Sequence, residues 1–102
     1  MTSPDANHSP LYLKLLAETA KIGWPELERF FARGMLLRVV RDLDLVSVAE
    51  AIASDDAAQV TQWLSAGLVE RVQAQTAADF AARDPDLWAV VVSPWICVQE
   101  RG

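Results

Sequence analysis

Leu87 to Val92 is an unbroken run of six apolar residues, Leu-Trp-Ala-Val-Val-Val, and it restricts the possible folds more than any other segment. A bilayer-crossing helix needs about 20 such residues. Six suit a strand covered on both faces, because a half-solvated strand would alternate apolar with polar. No longer apolar run exists in the 102 residues, so the sequence offers no membrane span. Pro94 follows at once and removes a ladder donor. Trp95 to Glu100 therefore reads as a separate or sharply bent strand near a sheet edge.

The remaining segments are short and clearly punctuated. Ser9-Pro10, then Tyr12, Leu15, Leu16, Thr19 and Ile22, give a cap, a first-turn proline and an apolar stripe, predicting a helix over residues 10–22 that Gly23 stops. Pro25 opens a second helix with Glu26 and Glu28 in its first turn, Leu27, Phe30 and Phe31 on one face, and Gly34 after it. Met35 to Val40 reads as a strand. Asp42 or Asp44 caps a helix carrying Leu45, Val48, Ala49 and Ile52. Ser54-Asp55-Asp56 breaks it. Asp56 with Gln59 resembles a capping box for a helix bearing Val60, Trp63 and Leu64 and ending at Gly67, with Trp63 expected in the core. Leu68 to Val72 reads as a strand. Thr76 caps a short helix with Ala77, Phe80 and Ala81 that must stop near Asp84, ahead of Pro85. The fold expected is α+β, with about five short helices and a small three- to four-stranded, mainly antiparallel sheet. Residues 1–9 read as a flexible leader and residues 10–102 as one globular domain.

Between residues 35 and 72 the order is strand, helix, polar turn, helix, strand, running into Gly67-Leu68-Val69. This resembles a winged helix-turn-helix domain. The resemblance implies that the second helix would read DNA, yet it offers Asp55, Asp56, Gln59, Thr61 and Gln62, with no basic residue. Charge along the chain agrees. Lys14 to Arg41 holds six basic and three acidic residues, whereas Asp42 to Glu100 holds ten acidic and two basic. A surface built from the middle of this chain repels phosphate. A nucleic-acid-binding alternative would have to use Lys14, Lys21, Arg29, Arg33, Arg38 and Arg41 instead.

The chain as a whole also resembles a small bacterial family, domain of unknown function 2288. The matching text is Ala17 to Ile22 with Trp24 and Arg29-Phe30-Phe31, then Asp44-Leu45-Val46, Asp55-Asp56, Trp63-Leu64, Leu87 to Val91 and Pro94-Trp95. It extends from about Leu11 to Glu100. The resemblance implies a bacterial cytoplasmic protein and brings no activity, ligand or catalytic residue.

Chemistry-bearing residues are sparse. The single histidine, His8, lies in the leader, and the single cysteine, Cys97, cannot form an intrachain disulfide and sits between Ile96 and Val98 as a small buried hydrophobe would. No Cys or His pair has metal-ligand spacing, and the four glycines stand singly, so no phosphate loop is present. No catalytic, metal or cofactor residue is assigned. Asp55-Asp56 is the most enzyme-like pair, but adjacent carboxylates at a helix start ordinarily cap backbone N–H groups. Four tryptophans are many for this length. Trp24, Trp88 and Trp95 fall at element boundaries, where an indole can anchor a partner.

The expected function is a non-catalytic cytoplasmic protein-interaction module, possibly self-associating. Its candidate contact residues are Trp24, Trp88, Pro94, Trp95, Asp55 and Asp56, with the strand after Pro94 as an edge open to pairing. A small ligand-binding protein or enzyme built on Asp55, Asp56 and a Trp-lined pocket is a further alternative.

Overall fold

The computed structural model describes residues 9–101. His8 and the rest of the expected leader up to it lie outside that range. Ser9 lies inside and is the cap of the first helix.

Five helices and five strands follow one another as α1 (Pro10–Glu18), β1 (Ala20–Ile22), α2 (Trp24–Ala32), β2 (Leu36–Val39), α3 (Leu45–Ala53), α4 (Ala57–Ser65), β3 (Val69–Arg71), α5 (Ala74–Arg83), β4 (Leu87–Val92) and β5 (Trp95–Glu100). The class is α+β, as the sequence predicts, with five strands in place of three or four. The additional strand is β1. Apolar spacing carries a helix on to Ile22, but the backbone leaves the helical region at Thr19 (ψ 129°). The Thr19 hydroxyl donates to the Leu15 carbonyl at 2.8 Å, and Ala20 to Ile22 then pair antiparallel with Leu87 to Ala89. Three ladder partners outweigh one more helical turn.

Helix starts follow the side chains. The Ser9 hydroxyl accepts from the Tyr12 N–H at 3.0 Å, Asp44 from Val46 N–H at 3.2 Å, and Asp56 from Gln59 N–H at 3.2 Å. For α5 the predicted Thr76 cap is displaced: the helix begins at Ala74 after Gln73 and ends at Arg83, with Asp84 (φ 47°) as its cap one residue before Pro85.

The sheet order is β1-β4-β5-β2-β3, antiparallel throughout except for the parallel pair β2 and β5. This overturns the reading of Trp95 to Glu100 as an edge strand. Ser93 and Pro94 form the two-residue turn between β4 and β5, so the missing N–H of Pro94 falls outside the ladder and does not exclude a central strand. β5 pairs on both sides, and β1 and β3 are the edges.

Helices cover both faces, which is what the continuous apolar run of β4 requires. One face carries Leu37, Val39, Val69, Val90, Val92 and Cys97, packed under Tyr12 and Leu15 of α1 and Leu45, Val46, Val48 and Ala49 of α3. The opposite face carries Leu36, Val72, Leu87, Ala89, Ile96 and Val98, packed under Trp24 and Leu27 of α2 and Ala77 and Phe80 of α5. Tyr12 ties α1 to α3 by donating its hydroxyl hydrogen to Asp44 at 2.6 Å. Gln99, a buried polar side chain, donates its amide to the carbonyls of Val40 and Leu43 and thereby fixes the loop ahead of α3.

Candidate functional site

The turn between α3 and α4 closes with two bonds, Asp55 N–H to the Ile52 carbonyl at 3.2 Å and Asp56 N–H to the Ala51 carbonyl at 2.9 Å. This is a Schellman cap, and it sets Asp55 in the left-handed region at φ 57°. The same cap ends α2 at Gly34 (φ 71°) and α4 at Gly67 (φ 74°). Glycine meets the backbone requirement at two of the three positions. At the third, a side chain is kept at a conformational cost of about 1 kcal/mol, and its carboxylate stands beside that of Asp56.

α4 then runs back across the sheet with Val60, Trp63 and Leu64 on one side. Of the five helices described, only α4 has no buried side chain. Trp63, expected in the core, is half-buried against its margin, and Leu64 is 47% exposed. Between α4 and the sheet lies a groove of about 470 Å³. Leu37, Val69 and Trp95 form its floor, Ile52, Val60 and Leu64 its walls, and Asp55, Asp56 and Arg71 its rim. Arg71 is held in place: it donates to the Gly34 carbonyl at 2.9 Å, and its guanidinium carbon lies 5.5 Å from the centre of the Trp95 ring. Neither Asp55 nor Asp56 has an ion-pair partner among the described residues.

The fold therefore unites three of the six nominated residues, Asp55, Asp56 and Trp95, although they lie some forty positions apart in the sequence. Pro94 is exposed in the adjoining turn. Trp24 and Trp88 lie elsewhere. Trp24 is only 4% exposed and sits in the opposite core, 5.7 Å from the Phe80 ring and 6.0 Å from Phe31, so it offers nothing to a partner. Trp88 is half-buried on β4, with the Arg101 guanidinium 5.3 Å from its ring. Sequence alone does not mark Leu64 or Arg71. An apolar residue at helical spacing reads as core, and a lone basic residue on a short strand carries no signal.

Elsewhere the titratable groups serve structure. Burial pushes the Cys97 thiol up to about 12, so it is a protonated, inert core group, as expected from its neighbours. The hydrogen bond to Asp44, reinforced by burial, raises the Tyr12 phenol to about 12. Burial opposes ionisation of Asp44, but hydrogen bonds from Tyr12, Ser47 and the Val46 N–H outweigh it and hold the carboxyl below its usual range. A second hollow, of about 400 Å³, contains Arg38, Arg41, Asp79 and Glu100. Its charges are matched: Arg38 meets Glu70 at 2.7 Å and Arg41 meets Glu100 at 3.6 Å, while Arg83 clamps Asp79 and Glu100 at 2.6 and 2.9 Å. No group of three or more His, Cys, Asp or Glu able to hold a metal occurs among the described residues. None of the described helices is long and apolar enough to cross a membrane.

By fold and site this is an α+β protein with a mixed five-stranded sheet between two helical layers and an acid-rimmed apolar groove under one helix. The chain belongs to the family DUF2288, described as protein of unknown function, whose model matches residues 10–100. Among solved structures it is similar to the NMR solution structure of PA1075 from Pseudomonas aeruginosa, at 54% identity and a TM-score of 0.81, covering 100% of this chain and 94% of that one. No curated protein matches.

Proposed function

We propose that this protein is a non-catalytic interaction module that receives a protein partner on α4 and in the groove beneath it. The observation that carries the reading is the incomplete burial of α4. Its stripe of Val60, Trp63 and Leu64 is patterned for a core, yet Leu64 remains half in water above an apolar floor. Sites that bind through a few anchors combine such an apolar centre with a polar rim, and Trp95 and the Asp55-Asp56 pair supply both here. A cytoplasmic setting belongs to the same proposal, supported by a lone cysteine that no intrachain disulfide uses. The alternative of nucleic-acid binding through Lys14, Lys21, Arg29, Arg33, Arg38 and Arg41 loses half of those charges to ion pairs, none of the three lying on a helix. Lys21 meets Asp86 at 3.0 Å, and Arg38 and Arg41 are engaged as described.

A small-molecule reading draws on the same groove, whose volume falls in the range of about 300–1,000 Å³ typical of ligand pockets. One pair of measurements separates the two. The tagged chain and its Leu64→Asp variant are compared for proteins retained from native lysate at mild salt, and both are screened against metabolites by thermal shift. Retention by the wild type and loss in a variant that melts alike supports the interaction module. Equal retention by both, with stabilisation of the wild type by a metabolite, overturns it in favour of the ligand reading.

A further inference from the structure

We draw no further inference here: the strongest candidate, the apolar groove beneath α4 together with the exposed Leu13 and Leu16 of α1, carries nothing, because Asp55, Asp56 and Arg71 put both signs of charge on the groove rim and nothing in the structure shows what covers these apolar side chains.

Discussion

α2 and α4 are built alike and packed differently. Each has nine residues, one tryptophan on its apolar side and a Schellman cap at its end. α2 packs on the sheet beside α5, and Trp24 and Leu27 disappear into that core. α4 has α3 on one side and packs chiefly over the three-residue edge strand β3, and none of its side chains is buried. Equal amphipathic patterns therefore do not imply equal burial. What separates the two helices is how much of the sheet lies beneath them, and at the sheet edge α4 has too little to close its apolar side.

The difference can be broken most directly by deletion. Leu27→Ala should cost about 2–5 kcal/mol in urea unfolding, because a fully buried leucine leaves a cavity, whereas Leu64→Ala should cost under about 1 kcal/mol. Similar losses at the two sites would remove the distinction. The caps sharpen it next. Gly67→Ala places a side chain at φ 74° and should destabilise by about 1 kcal/mol, while Asp55→Gly relieves the same strain at φ 57° and should stabilise by about 0.5–1 kcal/mol while weakening partner binding. An Asp55→Gly variant that is less stable would contradict the strain at this position, and one that binds as well as wild type would deny the carboxylate a role in binding.

Smaller effects concern pH and the thiol. The folded pKa of Asp44 is depressed, so its contribution is present above the ordinary carboxylate pKa and is lost as pH falls through the folded value. Acid titration of Tyr12→Phe, which removes one of the hydrogen bonds responsible, should show a shallower loss of stability below about pH 4 than wild type. For Cys97 the sign is opposite. Its folded pKa of about 12 lies above the unfolded value, so its contribution is full below about pH 8.5 and declines as pH rises toward 12. At neutral pH the native thiol should resist a disulfide reagent that reacts with the urea-unfolded chain; rapid native reaction would contradict its burial.

Much of the fold is legible in local chemistry. Pro25, Gly34, Asp44, Asp56 and Gly67 bound helices as their stereochemistry requires, and the apolar run from Leu87 demands cover on both faces. Errors arise where a local signal has a non-local competitor. Ala20 to Ile22 continues a helical pattern but is taken by pairing with β4. Pro94 suggests an edge, yet its turn folds β5 into the middle of the sheet, beside β2. That central placement also brings Trp95 under α4 and next to Arg71, so the groove is a product of sheet order and no window of sequence contains it. Asp55, Asp56 and Trp95 are each conspicuous by composition or position. Leu64 is not, because periodicity reports which residues share a face and is silent on whether anything covers that face.

Amide hydrogen exchange along α4, in the chain alone and in its bound complex, tests most directly whether this helix is held open for a partner. In the free chain, amides of Ala57–Ser65 should exchange well before those of Trp24–Ala32, and in the complex the α4 amides should slow while α2 is unaltered. Protection of α4 equal to that of α2 in the free chain, or no change at α4 on binding, would contradict it.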